Sequence, residues 1–318
     1  MNTKSRFKPR SVCASLIRPA AVNRLCKTLR AATCLSLLLA VSHFENAFAE
    51  DVQPSTGIAT LLEAAHHASD TATIRLHHLN RLDARLNTDV TELKAQCRYE
   101  SDIATPPPAH HIALTFDDGP EPVQTEYILD VLQQYGVPAT FFMIGSQAQK
   151  HPDLVRKVLA SGVHQVANHS WDHPNFHSIT AEQQSVEVAR TEDVLDSAMH
   201  KKFFRYPYGN STCETNALLH GRGYEIVGWH VDSCDWAFDK DGKVDFKEAT
   251  SCGVLPQYHA DFTGHVLSAL RAHNGGILLM HEIHPNTLKK LAEIIQAALA
   301  EGYVFDTVDS PAFQASLR

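Results

Sequence analysis

From His111 to the C-terminus, short apolar runs take turns with longer amphipathic stretches. That alternation confines the chain to an α/β fold built on parallel strands. The apolar runs predict strands over 111–116, 139–145, 164–168, 202–206, 224–231, 276–280 and 303–308. The stretches between them predict helices over 123–135, 152–161, 181–199, 214–222, 260–273 and 286–301. Seven such units point to a barrel rather than an open sheet. In parallel barrels the reactive groups gather at the C-terminal ends of strands. Asp117, His169, Arg205, Asp232 and His281 each fall at or just after an expected strand end, which argues for one shared site.

The 318 residues, 44% of them hydrophobic and 20% charged, supply enough apolar material for one large core. The N-terminus has a different character. Residues 1–49 hold eight Lys/Arg and a single acid, Glu45, and an apolar run over 31–41 follows Arg30. Ala47-Phe48-Ala49 then fits the small-x-small cleavage pattern of an export signal. A single membrane anchor is the competing reading, but the apolar run is short for a bilayer and no other stretch is long enough to span one. Cleavage after Ala49, and hence a secreted or periplasmic protein, is the expectation. Removing eight of 28 basic residues and one of 36 acidic ones leaves 20 against 35, a net charge of −15. Nucleic acid, which needs cations to displace its counterions, is excluded as a partner.

Between the signal and the alternating region, Leu76, Leu79, Leu86, Val90 and Leu93 recur at helical spacing, so 58–97 reads as one or two amphipathic helices. Pro106-Pro107-Pro108 makes a stiff linker and a natural boundary. The chain thus divides into a signal over 1–49, a helical segment with linker over 50–110 and an α/β domain over 111–318. Four cysteines, Cys97, Cys213, Cys234 and Cys252, remain after the signal. An even count in an exported protein suggests two disulfides. Cys234 and Cys252 are near in sequence and flank a polar loop, which favours that pair and leaves Cys97 with Cys213. Oligomeric state is not legible.

Thr115-Phe116-Asp117-Asp118-Gly119-Pro120 ends the first apolar run with two adjacent carboxylates. Side chains alternate faces along a strand, so one carboxylate is free to bind a cation while the other takes a proton. His169-Ser170-Trp171-Asp172-His173 offers two imidazoles four apart, which on a helical turn share one face and suit one metal ion. Arg205-Tyr206-Pro207-Tyr208-Gly209 is a turn with a rigid Pro and a flexible Gly, fit to expose a backbone N–H; alone it reads as a structural turn with a surface ion pair. In Asp232-Ser233-Cys234-Asp235-Trp236 an Asp buried beside Trp needs a cationic partner, and His281, after Leu278-Leu279-Met280, would serve. A carboxylate holding that ring would keep it protonated as a general acid. His284 reads as a loop residue. The segment over 237–265 is long for a connection and reads as a disulfide-tied loop over the groove; its acids do not have the spacing of an EF-hand.

Taken in order, these stretches resemble the five motifs of the polysaccharide deacetylase family (the NodB-homology hydrolases, carbohydrate esterase family four), over roughly residues 111–309. The resemblance implies a distorted (β/α) barrel of seven strands. It implies Asp117 as general base, with Asp118, His169 and His173 holding a divalent cation, usually zinc, with cobalt, nickel or manganese as alternatives. Arg205 would orient Asp117, the Tyr208 backbone N–H would help hold the oxyanion, and His281, tuned by Asp235, would be the general acid. Leu279, with Trp236, would line the acetyl pocket.

The function implied is removal of N-acetyl groups from an N-acetylglucosamine-containing glycan, whether peptidoglycan, chitin-type oligomers or an exopolysaccharide. An O-acetyl esterase on xylan-like polymers would share every motif. A glycan-binding protein with a dead site is the rival from another class.

Overall fold

A computed structural model of the protein describes Cys97, Ile103 and residues 105–318; the signal expected over 1–49 and, Cys97 apart, the helices expected over 58–97 lie outside the described residues. The chain begins with β1 (His111–Asp117), α1 (Gln124–Tyr135), β2 (Thr140–Met143), α2 (Gly145–Lys150), α3 (Pro152–Ala160) and β3 (Gln165–Asn168). It continues with α4 (Ala181–Leu195), β4 (Phe203–Phe204), α5 (Cys213–Gly221), β5 (Glu225–Ile226) and β6 (Val231–Asp232). It closes with α6 (Phe246–Cys252), α7 (Phe262–His273), β7 (Gly275–His281), α8 (Pro285–Ala300) and β8 (Val304–Asp306).

The strands form one sheet in the order β5-β4-β3-β2-β1-β7-β6, with β8 also beside β1. Every pairing is parallel. β1 is the axis, and Ile112 to Asp117 are all buried, the continuous apolar run that a strand covered on both faces requires. It pairs with β7 along its whole length and places Asp117 opposite His281.

Alternation along these strands feeds two cores. Ile112, Leu114, Phe116, Phe141, Val166, Phe204, Leu278 and Met280 join the larger cluster with helix residues such as Ile128, Leu132, Val188, Leu270 and Ile294. Ala113, Phe142, Ala167, Phe203 and Ile277 face the other way into a smaller cluster, where Val308 and Phe313 from the C-terminal segment join them.

The strand expected over 224–231 is two short strands, so the sheet has eight rather than seven. The chain changes neighbours there: Val227 N–H donates to Phe204 O of β4 at 2.9 Å, whereas His230 N–H donates to Ile277 O of β7 at 3.0 Å. The carbonyls of Val227 and Gly228 accept from the Arg205 guanidinium at 3.2 and 3.1 Å instead of from a strand. A buried side chain thus satisfies backbone groups that a continuous ladder would have satisfied. Two short helices were not expected. α2 begins two residues after β2 ends, and α6 lies inside the long segment over 237–265, started by Asp245, whose side chain accepts from Glu248 N–H at 2.9 Å, and stopped by Gly253 at φ 86°. The other elements match expectation to within a few residues at their ends.

Candidate active site

At the end of β1 the two adjacent acids diverge because Asp118 turns left-handed, at φ 76°. Asp117 stays with the strand, 2% exposed, and its Oδ1 accepts from Arg205 Nη1 at 2.7 Å. Arg205 is 1% exposed. Its Nη1 also donates to Thr115 Oγ1 at 2.8 Å, and its guanidinium lies 4.1 Å over the Phe142 ring. The surface ion pair expected from the turn alone is therefore a buried one. Desolvation lowers the Arg205 pKa, while Asp117 and then Asp232 act against that shift.

Asp118 faces the two histidines. Its Oδ1 lies 3.5 Å from His169 Nε2 and 3.3 Å from His173 Nε2, yet has no hydrogen-bond partner among the described residues. Burial pushes the Asp118 pKa up, but His169, then His281 and His173, outweigh it and hold the carboxyl below the ordinary range. His169 Nδ1 lies 2.8 Å from the Arg205 carbonyl. An acceptor there fixes the proton on Nδ1 and leaves the Nε2 lone pair facing Asp118. His173 is pushed down to about 4, chiefly by burial and then by His169. It is therefore a neutral imidazole at ordinary pH. One ligand atom from each of the three residues lies within 4.8 Å of the others. A buried carboxylate oxygen without a donor, facing two imidazole nitrogens, fits a divalent cation.

The two histidines do not share a helical face, contrary to their spacing. Residues 169–173 form no helix; Ser170 and His173 are left-handed at φ 66° and 57°. Ser170 N–H donates to Asn168 Oδ1 at 2.9 Å and His173 N–H to Ser170 Oγ at 3.1 Å. This irregular turn, not a helical face, sets the rings 4.9 Å apart.

Across the β1–β7 ladder, His281 is held by Asp235, which is 0% exposed. His281 Nδ1 lies 2.7 Å from Asp235 Oδ1, and its backbone N–H donates to Oδ2 at 2.7 Å. Thr287 Oγ1 donates to the same Oδ2 at 2.5 Å. Burial pushes His281 down, but Asp235, followed by Asp118 and Asp117, carries it up to about 10. Burial pushes Asp235 up, and His281 with Thr287 brings it below its ordinary value. His284, expected as a loop residue, sets its ring perpendicular to that of His281 at 5.4 Å.

Both groups open into a single cavity of about 670 Å³. Its lining contains Asp117, Asp118, His169, His173, Tyr208, Trp236, Leu279 and His281, and so holds every expected site residue except the buried partners Arg205 and Asp235. Tyr208 is left-handed at φ 58° and 64% exposed. The hydrogen bonds of its turn run from Gly209 and Asn210 N–H to Tyr206 and Pro207 O, so the Tyr208 N–H is not used by them. Trp236 stands at the rim and Leu279 is buried. Glu121, Gln147, Trp229 and Ile283 also line the cavity and were not anticipated. Glu121 follows the Asp-Asp-Gly-Pro turn directly, and that proximity was the signal for it. Elsewhere, the sulfur atoms of Cys97 and Cys213 lie 2.11 Å apart and those of Cys234 and Cys252 lie 1.91 Å apart.

A family profile described as polysaccharide deacetylase matches residues 104–227. The chain is 33% identical over 200 residues to the peptidoglycan-N-acetylglucosamine deacetylase PgdA of Listeria monocytogenes, a match covering 62% of this chain and 38% of that protein. It therefore spans well under half the length of that relative. It is 34% identical over 177 residues to a chitooligosaccharide deacetylase of Bradyrhizobium, covering 55% of this chain and 71% of the relative. Among solved structures, the Bc1960 peptidoglycan N-acetylglucosamine deacetylase superposes with a TM-score of 0.55 at 29% identity, over 67% of this chain and 92% of the other.

Proposed function

The chain belongs to the polysaccharide deacetylase family, and from that premise we propose that it is a metal-dependent hydrolase removing N-acetyl groups from N-acetylglucosamine-containing glycans. The observation that carries this reading is the pairing at the end of β1 and β7. A carboxylate on a buried Arg and an imidazole on a buried Asp open, with a three-ligand cluster, into one cavity. Relatives named for peptidoglycan and for chitooligosaccharides leave the polymer open between those classes.

In this reading Asp118, His169 and His173 hold the cation, and a set of two imidazoles and one carboxylate suits zinc. When bound there, it supplies Lewis acidity at the acetamide carbonyl and eases deprotonation of a water. Asp117 takes the proton of the attacking water, and Arg205 fixes its other oxygen so that the basic one faces the cavity. The Tyr208 N–H donates to the oxygen that gains charge as the carbonyl becomes tetrahedral. His281 Nε2–H protonates the departing nitrogen as the C–N bond breaks, giving acetate and a free amine. Asp235 keeps that proton in place until it is needed. Leu279 and Trp236 line the space for the acetyl methyl, and Trp236 and Tyr208 offer aromatic faces to the sugar.

The export signal over 1–49, the segment over 50–110 and the catalytic domain over 111–318 belong to the same proposal, as do the two disulfides; a deacetylase of cell-wall or extracellular glycan acts outside the cytoplasm. No helix among the described residues is long and apolar enough to cross a membrane. The test is acetate release from peptidoglycan, chitin oligomers and acetylated xylan, with and without chelator. Release from the N-acetylated glycans that stops with chelator and returns with zinc is expected. Release from xylan alone would replace the amidase reading with an esterase, and none from any polymer would remove both.

A further inference from the structure

One buried acid stands outside this chemistry. Glu282 follows His281 at the end of β7, is 0% exposed, and its Oε1 has no hydrogen-bond partner among the described residues. It does not line the cavity. Desolvation pushes its pKa up to about 8, so at neutral pH it is mostly an uncharged acid.

Its surroundings are those of the Asp117–Glu121 turn. Glu282 N–H donates to Asp117 O at 3.0 Å. Its Oε2 accepts from Thr125 Oγ1, and the same Oγ1 accepts from Glu121 N–H at 2.8 Å. Its carboxyl lies on the bare Cα of Gly119, where a Cβ would come within 1.9 Å of Oε1. From the other side, Ile144 N–H donates to Gly119 O at 2.8 Å. The residue enclosed by these contacts is Asp118, in a left-handed conformation that only glycine adopts freely. Such a conformation persists where its neighbours fix it.

We propose that Glu282 is a positioning residue for the Asp118 carboxylate: clamped to Thr125 and set against Gly119, it holds the turn in the shape that carries Asp118 to His169 and His173. The inference rests on the reading that those three residues hold a cation. It accounts for a large buried acid at a position where a core residue would be apolar. It also joins the two halves of the site, since two consecutive residues place the imidazole of His281 in the cavity and a brace behind the metal-facing turn.

The shape of the side chain decides the test. Gln keeps the length, an oxygen for Thr125 and a neutral head on Gly119. Ala removes the brace, and Thr125→Val removes the clamp at near-constant volume. Zinc affinity is measured by competition with a chromophoric chelator for Glu282→Gln, Glu282→Ala and Thr125→Val in the mature protein, with the thermal midpoint of each chelated protein alongside. Losing a partner that orients a ligand weakens metal binding by about 10–100-fold. A loss of that size is expected for Glu282→Ala, a smaller one for Thr125→Val, and recovery toward wild type for Glu282→Gln. Wild-type affinity in both Glu282→Ala and Thr125→Val overturns the proposal, and so does a Gln variant as weak as the Ala one. Should Glu282→Ala fail to fold, Thr125→Val decides alone. A wild-type protein that binds no zinc, or binds it equally after His169→Ala/His173→Ala, removes the metal-site reading itself and this proposal with it.

Discussion

Asp117 and His281 stand opposite each other in the β1–β7 ladder, and each is tied to a buried partner of opposite charge, Arg205 at 2.7 Å and Asp235 at 2.7 Å. Arg205 holds one oxygen of the Asp117 carboxylate in place, while Asp235 favours the protonated ring of His281. Partners of opposite sign thus hold two groups that themselves end the adjacent strands β1 and β7.

This arrangement fixes the sign of a pH effect. His281 is raised from 6.5 to about 10 because Asp235, with Asp118 and Asp117, overcomes burial. An acid must be protonated to act, so activity should persist well above the ordinary histidine range and fall as pH rises toward about 10. A cation on Asp118 offsets part of the carboxylate contribution and sets the limb below that value. Asp235→Asn removes the main supporting charge, so the alkaline limb of kcat/KM should move to lower pH. An unmoved limb would show that another group sets it.

Metal content separates the two adjacent acids. Asp118 faces both imidazole nitrogens, whereas Asp117 Oδ1 is committed to Arg205. By elemental analysis, Asp117→Asn should keep about one zinc while losing about 10²–10⁴-fold in turnover, the usual scale for a missing general base. Asp118→Asn and His169→Ala/His173→Ala should lose the metal. Equal metal loss in Asp117→Asn and Asp118→Asn would end this division of labour.

Arg205 carries the corresponding stability prediction. Its removal leaves Asp117 as an unpaired buried charge and deprives Thr115 Oγ1, Val227 O and Gly228 O of a donor. Breaking a buried pair from one side costs about 3–5 kcal/mol. Arg205→Met should show a loss of that order in urea unfolding of the chelated protein, together with lost activity. A change below about 1 kcal/mol, the scale of an exposed pair, would mean that Asp117 does not depend on it.

The difference between a surface and a buried Arg205 shows what the sequence carried and what it did not. Strand-end positions were legible because apolar runs stop where reactive residues begin, and Asp117, His169, Arg205 and His281 all lie near such ends. The turns were not legible. Asp118, Ser170, His173 and Tyr208 are all left-handed without being glycine, and the mild preference of Asp and His for that region is too weak to announce it. In the histidine turn the side chains of Asn168 and Ser170 fix the backbone by accepting from the Ser170 and His173 N–H groups. The split of β5 from β6 was hidden too, since between them Val227 O and Gly228 O accept from the Arg205 guanidinium rather than from a strand. Glu282 gave no pattern, because a single acid after a strand looks like any loop residue until its burial is known.

Cys234 and Cys252 stand at disulfide distance, Cys252 at the end of α6 and Cys234 in the turn that carries Asp235. Cys234 is left-handed at φ 59° and its N–H donates to Asp232 Oδ1 at 2.8 Å. Non-reducing peptide mapping of protein made in an oxidising compartment should recover this pair and Cys97–Cys213. Reduction should lower activity through Asp235 more than it lowers zinc content, because the proposed ligands Asp118, His169 and His173 follow other strands, β1 and β3. Free thiols at both Cys234 and Cys252 would refute the pairing.

The sharpest test of His281 compares leaving groups. An amine departs only once protonated, whereas a phenolate departs without help, so a missing general acid harms amide cleavage far more than cleavage of an activated ester. In the proposed reaction that acid is His281, which contacts Asp235 and lines the cavity with Asp117 and Asp118. His281→Ala should reduce deacetylation of chitin oligomers by about a hundredfold or more, the lower range for a lost general acid, while an aryl acetate suffers much less. Asp235→Asn should show the same bias in milder form, because the ring remains but loses the charge that keeps it protonated. Zinc content measured on the same preparations separates this effect from damage to the metal site. Equal losses on amide and aryl ester with zinc retained would make His281 a substrate-positioning group, and His284, whose ring lies 5.4 Å away, would be the next residue to test as the acid.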